Sequence, residues 1–211
     1  MVPAPKSESI ALRAYEPPSE AAPPAQRSIL SGVLAGERWA HEQLYDMLLP
    51  TVTRTLGKIL RDSTADYEDL LQSVFERIVR SLSTDRGAHV RNLNSWANSI
   101  AAHVALDALR QRIRERRFFE RNKPTLVENV PAASLERQLE ARRQLEWLQD
   151  TLAQINPDQA QTVLMHDVLG HPVDEIAAVM GVTVAAAQRR LSRGHQELLR
   201  RSSARDGRKS R

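Results

Sequence analysis

The sequence predicts an all-α protein made of two small helical domains joined by a linker, the second containing a helix-turn-helix. Three observations carry this. Ala, Leu, Arg, Glu and Gln recur, aromatic residues make up 4%, and glycine accounts for 8 of 211 residues. Such residues form helices, and few segments are rich in the β-branched or aromatic residues that favour strands. Apolar residues repeat at three- and four-residue spacing in several separate blocks, the period of an amphipathic helix. Proline-bearing polar stretches interrupt the blocks near 3–24 and 123–133, and the length suits one or two domains with a sizeable core.

Residues 1–25 hold six prolines among Ser, Ala and Glu. They carry too little apolar surface to offset ordering entropy, which predicts a disordered extension. From residue 26 Ile29, Leu30, Val33 and Leu34 share a face, and Gly36 interrupts. A second run carries Trp39, Leu44, Tyr45, Leu48, Leu49, Val52, Leu56, Ile59 and Leu60, with Pro50 predicting a kink or break inside it. Ser63 or Thr64 can cap the next helix, and Asp66, Glu68 and Asp69 fill its first turn, where the helix dipole favours acids. Leu70, Leu71, Val74, Phe75, Ile78, Val79 and Leu82 form its stripe. A polar loop, 83–94, precedes a helix from about Ser95 whose buried face is marked by Trp96, Ile100, Val104 and Ala108. The first domain spans 26–121 and the linker 122–133. The second domain, 134–202, starts with a helix capped by Ser134 and carrying Leu135, Leu139, Leu145, Leu148 and Leu152. Asn156-Pro157 stops that helix and starts the next, which Gly170 ends. Residues 203–211 read as a disordered basic tail.

The chemistry is narrowed by what is missing. With no cysteine, disulfides, thiolate zinc sites, iron–sulfur clusters and cysteine nucleophiles are excluded. There is no G-x-S-x-G, Walker A, H-E-x-x-H or dinucleotide fingerprint, so no enzyme or cofactor is expected. His166, Asp167 and His171 lie close in sequence, but Gly170 and Pro172 break the spacing a metal site needs. No apolar run nears the roughly 20 residues that span a bilayer, and the start lacks a secretion signal. A soluble cytoplasmic protein without membrane insertion is expected.

The net charge of +4 hides an asymmetry: 188–211 hold nine Arg/Lys against Glu197 and Asp206, so this end is basic and the body mildly acidic. A polyanion partner fits such an end. The segment VDEIAAVMGVTVAAAQRRLSRGHQELLRR has the shape of a helix-turn-helix. Ile176, Ala177 and Met180 would be buried, Gly181 would take the positive φ of the turn, Val182 would pack under the corner and Thr183 would cap the second helix. That helix would bury Val184, Ala187, Leu191 and Leu198 and expose Gln188, Arg189, Arg190, Arg193 and His195. Arginines there can neutralise phosphates, and Gln or Arg can read base edges in a major groove. A second basic segment, 110–121, sets Arg110, Arg112, Arg114, Arg116, Arg117 and Arg121 beside Phe118 and Phe119. Such a pattern suits single-stranded nucleic acid, and equally a solvated helix end with core phenylalanines.

Three separated motifs, in order, resemble the bacterial RNA polymerase sigma factors of the small two-domain, extracytoplasmic-function (ECF) type. DYEDLLQSVFERIVRSL (66–82) is similar to region 2.2, which in the family docks on the β′ clamp helices of core RNA polymerase. LNSWANSIAAHVALDALRQRIRERR (93–117) is similar to regions 2.3 and 2.4, which open and read the minus-ten promoter element. Residues 144–201 are similar to region 4, which reads the minus-thirty-five element. The resemblance covers about 28–201. It implies polymerase docking by Asp66, Glu68, Asp69, Gln72 and Phe75. It implies minus-ten DNA contacts by Asn92, Asn94, Trp96, His103, Arg110, Arg112, Arg114 and Arg117, with Trp96 and Asp107 in mainly structural roles. It implies minus-thirty-five contacts by Thr183, Gln188, Arg189, Arg190 and Arg193. An anti-sigma factor is a further implied partner.

The chain departs from the family at several positions. Ala102 and His103 stand where Arg-Asn is frequent, and Asp158, Ala160 and His166 where arginines are frequent. Ala186, Ala187, Gln188 and Arg189 replace the usual Thr-Val-Lys-Ser of the recognition helix. Each lost cation removes a phosphate contact. The expected function is a promoter-specificity subunit. Two alternatives stay open: a stand-alone helix-turn-helix regulator, and a sigma-like protein that no longer initiates.

Overall fold

The computed structural model describes residues 24–60, 67–82, 92–121 and 133–209. The proline-rich start, the proposed caps Ser63 and Thr64, Asp66, most of the polar loop and nearly all of the linker lie outside the described residues. In chain order the elements are α1 (Pro24–Leu34), α2 (Arg38–Leu60), α3 (Tyr67–Leu82), α4 (Leu93–Arg121), α5 (Ala133–Gln154), α6 (Pro157–Val163), a π-helical turn (Leu164–Val168), α7 (Val173–Met180) and α8 (Val184–Lys209). Among the described residues there is no strand, and the all-α class holds.

Helix α2 runs through Pro50 as one helix, so of the kink or break expected there the break does not occur. Its buried stripe continues on both sides of the proline, with Leu44, Leu48, Val52, Leu56 and Ile59 all in the core. Each such side chain contributes roughly 1.5–3 kcal/mol on burial, against about 3 kcal/mol for an internal proline. Packing therefore outweighs the lost hydrogen bond.

Helix α4 is more deeply buried than its sequence stripe indicated. Of the four marker residues Val104 is buried, while Trp96, Ile100 and Ala108 are half-buried. The fully covered positions are Ala97, Ala101, Ala102, Ala105 and Leu106, with Leu93, Leu109 and Ile113 close behind. The reason is position. α4 packs on α2 and α3 on one side and on α5, α6 and α7 on the other. Leu106, Leu109 and Ile113 join one continuous core with Leu152, Ile155, Val163 and Leu164 from the second group of helices.

In the second group Asn156 caps α6, its Oδ1 accepting from the Asp158 and Gln159 amides at 3.0 and 3.3 Å. The helix-turn-helix forms as the residues require. Gly181 ends α7 at φ 65°, a left-handed value that a side chain would strain. The Val182 amide closes the end on the Ala177 carbonyl at 2.9 Å. Val182 packs against a small core of Met165, Ile176 and Met180. Thr183 Oγ1 accepts from the Ala186 amide at 3.2 Å, capping α8. Val184 is a correction: at the first turn of α8 it is exposed rather than buried, because the inward face of α8 begins at Ala187.

The basic tail is also a correction. α8 continues to Lys209, so 203–209 are helical rather than disordered. Arg205 stacks on the Trp147 ring of α5 at 5.1 Å, Arg201 donates to Gln154 at 3.2 Å, and Ser203 Oγ donates to the Leu199 carbonyl. The long α8 thus lies along α5, and a charge run that reads as solvated has an aromatic face to rest on.

Two glycines test this packing in opposite directions. A Cβ on Gly194 would lie 2.6 Å from Val163 Cγ2, a stiff β-branched side chain in the core. Gly194→Ala is expected to lower stability by about 1–3 kcal/mol. A Cβ on Gly57 meets nothing within 4 Å, so Gly57→Ala should stabilise by about 0.5–1 kcal/mol. Urea denaturation of both variants checks the pair.

Candidate functional site

The first surface is the outer face of α3. Glu68, Asp69, Gln72 and Glu76 are exposed there at three- and four-residue spacing. Gln72 Nε2 donates to Glu76 Oε1 at 2.9 Å. Phe75 is half-buried and its ring stacks, tilted by 40°, on Tyr45 at 4.4 Å. Tyr45 belongs to α2 and is 40% exposed. The face is therefore an acidic ridge flanked by an aromatic pair. Sequence reasoning missed Tyr45 as part of it, because nothing local links α2 to α3. Asp66 lies outside the described residues.

The second surface runs along α4. Asn92 caps the helix through its Oδ1 and the Ser95 amide at 3.2 Å. Asn94 Oδ1 accepts from Thr51 Oγ1 at 3.1 Å. Trp96 is half-buried and packs against the core. Asp107 gathers three of its neighbours, with Arg77 at 3.1 Å, Arg110 at 3.3 Å and His103 at 3.4 Å. Arg110 also donates to the Ala153 carbonyl at 3.2 Å. His103 and Arg110, expected on DNA, are thus held in a charge cluster, and Arg110 ties α4 to α5. Further along, Arg114 and Arg117 are exposed and Arg112 half-buried, while Arg116 pairs with Asp150 of α5. Phe118 and Phe119 are 65% and 58% exposed, edge to face at 6.0 Å. They are not core, so exposed aromatics and arginines share the end of α4.

The third surface is α8. Thr183, Gln188, Arg189 and Arg193 are exposed at its start. Arg190 instead pairs with Asp158 of α6 at 2.6 Å. His195 Nε2 meets one oxygen of Asp167 at 2.7 Å, and His166 Nδ1 meets the other at 2.6 Å. Asp158 and His166 therefore act on α8 itself, Asp158 directly and His166 through Asp167. Burial pushes the Asp167 carboxyl up, but hydrogen bonds from His166 and His195 and their charges outweigh it, leaving it below its ordinary value of 3.8. Farther on, Arg200 and Arg201 grip Glu197, and those hydrogen bonds hold its carboxyl down at about 2. Arg193, Arg200 and Arg201 line an open polar groove with Asn156 and Gln159. The last two arginines of that wall were not among the expected contacts.

A fourth feature joins the two groups. Glu175 of α7 accepts from Asn92 Nδ2 at 2.8 Å and from Ser95 Oγ. His171 bridges Glu175 at 3.1 Å and Asn98 at 2.8 Å. His171 is thus engaged apart from His166 and Asp167, which pair with each other while Asp167 meets His195 of α8. Among the described residues no three His, Asp or Glu side chains are arranged to hold a metal, and no helix is long and apolar enough to cross a membrane.

The Asp167 cluster sets a pH dependence. A carboxyl that titrates lower in the folded state gives stability above its ordinary value and loses it as pH falls through the folded value. Because the group is 39% exposed, the effect should stay under about 1 kcal/mol. Wild type should exceed Asp167→Asn at a pH above the ordinary carboxylate value, and their denaturation midpoints should converge as pH falls through the lowered value of the folded Asp167.

The sequence matches two family models, Sigma-70 region 2 over 44–115 and Sigma-70, region 4 over 145–198. It is 32% identical over 165 residues to the RNA polymerase sigma factor CarQ of Myxococcus xanthus, covering 77% of this chain and 89% of that protein. It is 30% identical over 135 residues to the ECF RNA polymerase sigma factor SigE of Mycolicibacterium smegmatis, covering 63% of this chain and 50% of that one. A solved structure of CnrH in complex with the cytosolic domain of CnrY is similar at a TM-score of 0.48 and 19% identity, covering 85% of this chain and 98% of that chain. Both sigma regions are present in order, and the likeness to CarQ spans most of both chains: this protein belongs to the sigma-70 family of RNA polymerase sigma factors, in its ECF subgroup, and is a transcription initiation factor.

Proposed function

We propose that the chain is a non-enzymatic, cytoplasmic specificity subunit whose three surfaces divide the work. The α3 ridge of Glu68, Asp69 and Gln72, with Phe75 and Tyr45 beside it, docks on the β′ clamp helices. The exposed end of α4, with Arg114, Arg117, Phe118 and Phe119, holds melted minus-ten DNA by phosphate contacts and base stacking. Gln188, Arg189 and Arg193 at the start of α8 enter the major groove of the minus-thirty-five element. The observation that carries this reading is the α3 ridge: four polar side chains exposed on one face beside a stacked aromatic pair. A free-standing DNA regulator has no need of it.

Co-purification with core RNA polymerase tests the docking. Wild type should be retained, and Asp69→Arg, which reverses an exposed charge at no cost to the core, should lose at least about tenfold in affinity with its melting curve unchanged. Absence of wild-type binding at low salt, with tight binding to duplex DNA alone, would favour the stand-alone regulator.

The Arg190–Asp158 pair predicts the behaviour of the α8 surface. With Arg190 neutralised, duplex binding should be weak. Asp158→Asn should free the guanidinium for a phosphate, tighten binding at low salt and steepen the dependence of log affinity on log salt by about 0.9. Fluorescence anisotropy across a salt series reads both effects.

A further inference from the structure

The middle of α8 carries a charged groove that the promoter contacts above do not use. α8 has 26 residues, about 39 Å of helix, whereas the major groove is about 12 Å wide. The stretch from Val184 to Arg193 already spans about 15 Å. From Arg193 onward an open polar groove runs between α8 and the turn from α5 into α6. Arg193, Glu197, Arg200 and Arg201 form one wall, and Asn156 and Gln159 lie on the other. The α8 wall is held in place by its own hydrogen bonds. Arg200 Nε and Nη2 donate to the two oxygens of Glu197 at 2.8 and 2.7 Å, and Arg201 Nε donates to the same carboxylate at 2.7 Å. Arg201 Nη1 donates to Gln154 at 3.2 Å. A guanidinium carries more N–H donors than these bonds use, so both arginines keep donors for an acceptor outside the chain. Glu197, held down at about 2, stays ionised at neutral pH.

We propose that this groove is a second DNA-backbone site, in which Arg200 and Arg201 take phosphates flanking the bases read by the start of α8, while Glu197 positions both arginines and competes for them. The proposal rests on the placement of α8 in the major groove given above. Three observations carry it. The first is continuity: Arg193 lines the groove and belongs to the surface placed on DNA, so a strand leaving the edge of the major groove passes beside it. The second is reach. Arg200 and Arg201 lie one to two turns of α8 past Arg193, about 10–12 Å along the axis, a distance of a few nucleotide steps on one strand. The third is chemistry. The lining consists of three arginines and four side-chain amides against one glutamate, and a guanidinium fork matches phosphate oxygens in pairs. Its apolar member, Ile155, is only 5% exposed, so the groove lacks the apolar anchor that a protein partner would bury.

Fluorescence anisotropy of the full chain on a labelled duplex of about three helical turns, across a salt series from low salt upward, tests the site. Each phosphate contact adds about 0.9 to the slope of log affinity against log salt. Arg200→Gln with Arg201→Gln should flatten the slope by about 1.8 and weaken binding at low salt at least about tenfold. Glu197→Gln should do the reverse, tightening binding and steepening the slope, which the loss of a merely structural ion pair would not produce. Arg200 is 69% exposed, so Arg200→Gln alone should melt as wild type does and flatten the slope by about 0.9. An unchanged slope in the arginine variants overturns the site and leaves the groove to solvent or to an acidic protein segment. Arg193→Gln separates this site from the reading beneath it. If Arg193→Gln flattens the slope and the Arg200 and Arg201 variants do not, the groove alone fails. If wild type does not bind duplex at low salt, or none of the three arginines alters its binding, the placement of α8 on duplex DNA fails as well.

Discussion

The structure depends on one helix being buried on two sides. α4 carries Ala97, Ala101, Ala102 and Ala105, all fully covered, and their small side chains let helices approach on both flanks. A helix with covered faces to both sides has little surface left for polar groups, and any that enter the interface need partners. Ser95, Ser99, Asn98 and Arg110 find them in Glu175, Gln161, His171 and the Ala153 carbonyl. One Arg110 nitrogen, Nη2, is buried without a partner, which marks the α4–α5 contact as imperfectly satisfied. The two sigma regions therefore meet through a mixed interface, apolar toward the end of α4 and polar toward its start.

The same economy of charge shapes α8. A recognition helix needs free cations at its start and a rigid base beneath them. Here Asp158 and Asp167 supply the base by holding Arg190 and His195. Rigid placement favours base reading, which depends on geometry, while neutralised charge weakens phosphate attraction, which depends on number. Arg193, Arg200 and Arg201 restore some positive surface along the groove beside α6, although Glu197 neutralises part of it.

Much of this was legible in the sequence because the signals are local. The turn at Gly181, the cap at Thr183 and the stop at Asn156-Pro157 each need a particular residue at a particular backbone position, and each stands where expected. The acids in the first turn of α3, Glu68 and Asp69, were readable for the same reason. What was not legible depends on partners far along the chain. A single apolar stripe cannot announce that α4 is covered on two sides, since alanine and serine carry little of that signal. Tyr45 joins Phe75 from another helix, Trp147 gives the basic end of α8 something to stack on, and Arg110 is drawn from the expected DNA surface by Asp107 and the Ala153 carbonyl. That α2 stays continuous past Pro50 was not legible, because burial along α2 is not a local quantity.

The mixed character of the inter-region contact bears on how readily it opens. An interface sealed only by buried leucines would gain roughly 1.5–3 kcal/mol per side chain and would resist separation by any polar ligand. The hydrogen bonds at the start of α4 contribute only about 0.5–1.5 kcal/mol each in net terms, because water replaces them on opening. A ligand that supplies the same donors and acceptors replaces them at still smaller loss. The polar half of the contact is therefore where binding energy from outside can act first. The apolar half, centred on Leu106, Leu109 and Ile113, gives the closed arrangement its register. The weak half lies at Asn92, Ser95 and Asn98, at the start of α4.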